Sequence, residues 1–280
     1  MTTIALFALR EALRRRVFTV VAVLTVLCGV LFGLIVWQAS HFTGDLDDGS
    51  AIDPKVISGA TLLGLSMFGT LFLGAILAAF LTLGAVRGDA GAGLLQPVLV
   101  RPISRRTYLL ARWLGAAAVC AAYVAAVHLG ATLVIGIIGE WWPDRILLPL
   151  LQMVLAVVII AALSLAGSIV LSATANGIAV FMCFGAGLIA GLLGQLGEGI
   201  GNETLIDISR VATWALPFEA LYQSALAEIT ADTFGVTRLA IQLGPLGGAE
   251  SAGPGLWLWV LAYLAAVGAV ATAAFRRADL

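Results

Sequence analysis

The chain has 280 residues, 61% of them hydrophobic and 11% charged, with a mean hydropathy of +1.06. Soluble domains carry about a quarter of their residues as charges, so a water-soluble globular fold is excluded. The net charge of -1 says little about partners, because in a membrane protein the depth of each charge decides its effect.

At the N-terminal end, residues 1–16 form an expected cytoplasmic interfacial helix. Ile4, Leu6, Phe7, Leu9 and Leu13 share an apolar sector, and Glu11 precedes Arg15 by one helical turn. The first apolar run, 17–37, follows Arg14, Arg15 and Arg16. It is longer than a signal-peptide core and lacks a small-residue cleavage site, so it is expected to stay as an anchor. The run Asp45 to Gly49 lacks the closing glutamate of a calcium loop and the later aspartates of a phosphoalcohol transferase.

Five further runs, 59–86, 114–138, 147–171, 178–196 and 256–275, are long enough to cross about 30 Å of hydrocarbon. Lipid offers the backbone no hydrogen-bond partner, so each is expected to be a helix. The fold class predicted is an all-α polytopic membrane protein forming one transmembrane permease domain with six spans. Cys28, Cys120 and Cys183 fall in separate runs without metal or disulfide spacing and read as buried thiols. His128 is the one ionisable residue deep within a run. It reads as a neutral side chain bonded to a neighbouring helix, and a proton-driven carrier would have to rest on it alone. Gly29 and Gly33, and likewise Gly187 and Gly191, have the small-xxx-small spacing that allows close helix approach, within one subunit or between two.

The basic residues divide unevenly between the two sides. Arg10, Arg14, Arg15, Arg16, Arg87, Arg101, Arg105, Arg106, Arg112, Arg276 and Arg277 fall on one side, and Lys55, Arg145, Arg210 and Arg238 on the other. This asymmetry puts both termini in the cytoplasm. Segment 197–255 then lies outside. Its stripe of Phe218, Leu221, Tyr222, Ala225, Leu226 and Ile229, with Glu219, Gln223 and Glu228 opposite, predicts an amphipathic helix on the outer membrane surface, starting at Pro217. The rest of that segment, rich in glycine, reads as loop, so that one or two short outer amphipathic helices are expected between the fifth and sixth spans.

The loop 87–113 is expected to be cytoplasmic. Its core, 94–100, is too apolar for a free loop and too short to cross, so it requires a partner surface. Asp89, Gly93, Leu95, Leu99 and the run Arg101-Pro102-Ile103-Ser104-Arg105, closed by Tyr108, carry a pattern that resembles the permeases of type-2 ATP-binding-cassette exporters. Asp89 stands where the family more often has glutamate. The resemblance extends to the six-span plan, the first helix and the Leu216-Pro217-Phe218-Glu219 segment. It implies that the loop is a coupling helix docking into an ATPase, with Arg87, Leu95, Val98, Leu99, Arg101 and Arg105 at or beside the contact. It also implies two ATPase copies, a second permease subunit forming a homodimer, export by alternating access, and residence in a bacterial cytoplasmic membrane.

Each loop position also has a plainer explanation. The arginines can simply hold the loop inside, Pro102 can end a helix, and Asp89 can favour a helix start. No phosphate-binding loop is present, since the sole lysine, Lys55, follows Asp53-Pro54. ATP and magnesium are therefore expected on a partner, with no cofactor, metal, catalytic residue or nucleic acid on this chain. A proton-coupled or passive carrier, and a non-transporting membrane scaffold, remain the alternatives. The spans are otherwise weakly polar, at Ser66, Thr70, Ser164 and Ser168, which suits an apolar or amphipathic substrate.

Overall fold

The computed structural model describes residues 16–44, 54–86, 105–232 and 253–277. The helices among them are α1 (Arg16–Gly44), α2 (Pro54–Thr82), α3 (Arg105–Ile138), α4 (Leu147–Val170), α5 (Ala173–Ile200), α6 (Glu203–Ala215), α7 (Pro217–Glu228) and α8 (Gly255–Arg277). No strand occurs among the described residues. Six helices, α1 to α5 and α8, are long and apolar enough to cross a membrane. The expected helix at 1–16 and most of the loop 87–113, up to Ser104, lie outside the described residues.

Helix bounds depart from the apolar runs because a helix continues wherever its backbone bonds can, whereas apolarity stops at the edge of the hydrocarbon. Thus α3 starts at Arg105 rather than 114, and α5 covers Ala173–Ile200 rather than 178–196. In contrast, α2 stops at Thr82, four residues short of 86.

Enclosure sorts the helices into two shells. In α2 and α4, 61% of the apolar stretch is buried, against 11% in α1 and 17% in α8. The two enclosed helices meet α3 and α7 in a core that includes Leu63, Leu71, Val124, Val157, Ile160 and Leu221. The outer helices turn Val20, Leu27, Met182 and Leu258 outward. In water such surfaces would aggregate, whereas in lipid they are the required exterior. Two cysteines share that exterior: Cys120 is buried as expected, but Cys28 and Cys183 are exposed. Both sit on peripheral helices, whose apolar stretches are only 11% and 22% buried.

Buried polar side chains knit the helices together. Thr25 and Tyr123 share a 2.9 Å hydrogen bond between α1 and α3. Asn176 Nδ2 donates to the Ser164 carbonyl at 2.8 Å, closing the short turn from α4 to α5. His128 is buried and hydrogen-bonds the backbone at Ile146, the residue before α4, while its Nδ1 has no partner among the described residues.

At the end of the bundle where α3 passes to α4, charged pairs gather. Lys55 Nζ lies 2.8 Å from Glu140 Oε2, and that hydrogen bond, with the lysine charge, holds the Glu140 carboxyl below its ordinary value. Arg145 pairs with Glu228 at 2.5 Å, and the Asp144 amide donates to the Ile229 carbonyl at 3.2 Å.

Helices α6 and α7 form a re-entrant hairpin. Gly201 takes a left-handed φ of 67° after α5, and Asn202 Oδ1 caps α6 by accepting from the amides of Thr204 and Leu205. The chain then runs back along α5: positions 197 and 194 face Ile206 and Ser209, and position 187 faces Phe218. Gly187 stands midway along Ala173–Ile200, about 20 Å from either end. The hairpin therefore reaches half the depth of the bundle before α7 returns to the Asp144 loop.

This corrects the surface placement expected for Phe218 to Ile229. The helix forms and starts at Pro217, but it is enclosed, with Phe218, Glu219, Leu221, Tyr222, Ser224, Ala225 and Leu226 all buried. The supposed solvent face carries Glu219 at 1% exposure. The physical reason is a complementary neighbour: α5 offers glycines on that side, and Gln152 Nε2 of α4 donates to Ser224 Oγ at 2.8 Å on another. The companion helix α6 is a second short helix in segment 197–255, and in it no residue is buried.

Candidate functional site

Two places combine polar groups with helices that meet there. The first is the end of the bundle where α2, α3 and α8 converge. Arg105 and Tyr108 are the two candidate coupling residues within the described stretch, and both lie in the first turn of α3. Arg105 Nη1 donates to the Phe275 carbonyl at 2.5 Å and to the Arg276 carbonyl at 3.4 Å, and its guanidinium lies 5.4 Å from the Phe275 ring centre. It thereby occupies carbonyls that α8 cannot satisfy within its own last turn.

Tyr108 is buried, and its hydroxyl donates to the Ala85 carbonyl at 2.9 Å just beyond α2. Arg112 Nε donates back to that hydroxyl at 3.2 Å. Ala85, Val86, Leu109, Leu165 and Phe275 pack around the pair as a separate apolar cluster. The start of α3 is thus tied to the ends of α2 and α8. The remaining candidates, Arg87, Asp89, Gly93, Leu95, Val98, Leu99, Arg101, Pro102 and Ser104, lie outside the described residues.

The second place is the cleft between the hairpin and α8. A cavity of about 610 Å³ opens there, lined by Gly191, Gly194, Gln223, Trp214, Leu256 and Trp259 among others. Trp259 Nε1 donates to the Trp214 carbonyl at 2.9 Å, and the two rings meet edge-on at 5.5 Å. Behind Gly191 lies Glu219, whose Oε1 accepts from Gln223 Nε2 at 2.9 Å.

The four candidate glycines divide. Among the described residues, Gly29 and Gly33 have nothing within 4 Å of where a Cβ would be, so that face of α1 is open to them. At Gly187 a Cβ would stand 2.6 Å from Phe218 Cζ, and at Gly191 it would stand 2.5 Å from Glu219 Oε1. The α5 pair is therefore occupied by α7 of the same chain. Phe218 stacks on Phe184 at 5.9 Å, and Phe184 meets Phe72 of α2 at 6.0 Å.

Sequence reasoning passed over the Trp214–Trp259 cleft and the α8 partner of Arg105. The Asn202-Glu203 start of α6 did carry a readable signal, a capping residue followed by an acid in the first turn.

A family model described as ABC-2 family transporter protein matches residues 2–280. No curated protein matches the chain significantly.

Proposed function

We propose that the chain, which belongs to the ABC-2 family of transporter permeases, is the membrane subunit of an ATP-driven exporter that works by alternating access. It is a multi-pass membrane protein, and the family is a membrane component associated with an ABC ATPase. The finer reading adds that the ATPase docks on the 94–100 segment in the cytoplasm, in two copies. Two identical permeases would meet through the open Gly29 and Gly33 face of α1, in a bacterial cytoplasmic membrane with both termini inside.

The observation that carries this reading is the anchoring of Arg105 and Tyr108. They are the last two residues of the coupling pattern, and they grip the ends of α8 and α2. A displacement of the preceding loop by nucleotide-driven closure would thus reach three helices at once, as a rigid-body change requires. In this reading the energy enters through that loop, which agrees with the sole lysine, Lys55, lacking the glycine-rich context of a phosphate-binding loop.

Expression with its ATPase, mild solubilisation and purification through a tag on this chain tests the reading. The expected result is a complex of two permeases and two ATPases that hydrolyses ATP in liposomes. Recovery of the permease alone, with the ATPase present in the same membranes, overturns it. For orientation, Ser251→Cys in a cysteine-free background should react with an impermeant thiol reagent on intact cells, and Ser104→Cys should not.

A further inference from the structure

We propose that Glu219 and Gln223 of α7 form a buried proton-binding site, in which a neutral carboxylic acid and an amide are joined by two hydrogen bonds and the bound proton makes one of them. The site does not depend on the exporter reading.

Glu219 is 1% exposed, and Gln223, one helical turn on, donates from Nε2 to Glu219 Oε1 at 2.9 Å. The other oxygen of each group, Glu219 Oε2 and Gln223 Oε1, is buried without a partner among the described residues. Both are acceptors, and an ionised carboxylate has no donor to offer. A proton on Oε2 removes the deficit at both atoms, because the O–H it creates donates to Gln223 Oε1 and closes a ring between two planar groups. Ionised, the same pair leaves two buried acceptors unfilled, an arrangement that folded proteins avoid.

The charges on the surrounding helices do not hold a carboxylate there instead. Helix α4 carries no titratable residue, and α2 carries Lys55 alone, paired with Glu140. On α5 stand Cys183 and Glu198, the latter about 10 Å along the helix from Gly191. Helix α6 has Glu203, Asp207 and Arg210, all exposed, with Arg210 on Asp207. Tyr263 is mid-way along α8, and Arg276 and Arg277 end it, far from the cavity-lining Trp259. On α7 itself are Tyr222 and Glu228, the latter held by Arg145. Neither carboxyl oxygen of Glu219 is bonded to any of these groups. An unpaired charge at half the depth of an apolar bundle is costly, so the neutral acid is the form that fits.

Proton binding is thereby linked to the seating of the hairpin. A Cβ at Gly191 would stand 2.5 Å from Glu219 Oε1 and 3.1 Å from Gln223 Nε2, so the pair rests on bare α5 backbone. Gln223 also lines the 610 Å³ cavity, which puts the acid one side chain from a space that can hold water. Withdrawal of α7 from α5 solvates the carboxyl, which passes its proton to water and stays behind as a carboxylate. Reseating takes the proton back, so low pH favours the seated hairpin and high pH opposes it.

Infrared spectroscopy of the purified full chain tests the site, since a protonated carboxyl has a C=O stretch separate from that of a carboxylate. The wild type at neutral pH should show this band and lose it as the pH is raised. Glu219→Gln, which keeps the shape and supplies its own N–H donor, should lack the band, and Glu198→Gln should retain it. Gln223→Leu should shift it, because the acid loses its partner. In thermal unfolding, the midpoint of the wild type should fall more steeply than that of Glu219→Gln as pH rises through the neutral range. Absence of the band from the wild type overturns the proposal without recourse to any variant. So does an undiminished band in Glu219→Gln, an unmoved band in Gln223→Leu, or the same pH dependence of unfolding in wild type and Glu219→Gln.

Discussion

The Tyr108 hydroxyl donates to the carbonyl of Ala85, twenty-three residues earlier in the chain, at 2.9 Å. It joins the first turn of α3 to the end of α2 at the place where the intervening loop leaves and returns. Tyr108→Phe leaves that carbonyl and the Arg112 guanidinium without this partner, at a cost of about 1 kcal/mol. A lower midpoint of thermal unfolding in detergent is expected, and Tyr108→Ala should lower it further because the ring also packs 6.2 Å from Phe275. An unchanged midpoint in both variants would show that the contact contributes nothing.

Arg105 acts on α8 rather than α2. Arg105→Lys keeps the charge but loses the planar fork that reaches two successive carbonyls while lying beside the Phe275 ring. The expected outcome is a permease that still binds its ATPase but transports less per ATP hydrolysed. Transport at full efficiency in Arg105→Lys and Arg105→Ala would separate α8 from the coupling route.

The α5 and α1 glycines should respond differently to the same substitution. Gly187→Ala forces the fully buried Phe218 ring to move and should destabilise by about 1 to 3 kcal/mol. Gly29→Ala meets nothing among the described residues and should be silent in the isolated subunit. The proposed dimer gives the α1 face its own test: Gly33→Leu should shift the permease toward monomer by native mass spectrometry, and a dimer unaffected by it lies elsewhere.

For coupling, the proposed apolar contact at 94–100 makes Leu99→Asp the decisive variant. A carboxylate buried without a partner costs several kcal/mol. The ATPase should therefore be lost on purification while the permease itself remains folded. Retention of the ATPase and of full transport would remove this segment from the interface.

How much of this was legible in the sequence follows from the range of each interaction. The six long apolar helices announce themselves, because hydrocarbon demands an uninterrupted run and nothing else in the chain supplies one. The helix after Pro217 was also legible, from the spacing of Phe218, Leu221, Tyr222, Ala225 and Leu226. Its depth was not, since Glu219 reads as solvent-facing until Gly191 is known to stand opposite. Equal spacing gave Gly29–Gly33 and Gly187–Gly191 equal standing, yet among the described residues only the second pair has a neighbour. The Arg105 contact with Phe275 spans 170 residues and leaves no local trace at all.

The clamp at the base of α7 has a mechanical corollary. Glu228 is fixed to Arg145 and the Ile229 carbonyl to Asp144, while Phe218, ten residues away, merely leans on Phe184 and Gly187. Between them Ser224 is bonded to Gln152 of α4, so α7 is held at three levels along its roughly 15 Å length. Charge holds it beside the connection between α3 and α4, a polar bond holds its middle, and ring packing holds it at mid-depth, so loosening the Arg145–Glu228 pair alone leaves two of the three holds in place.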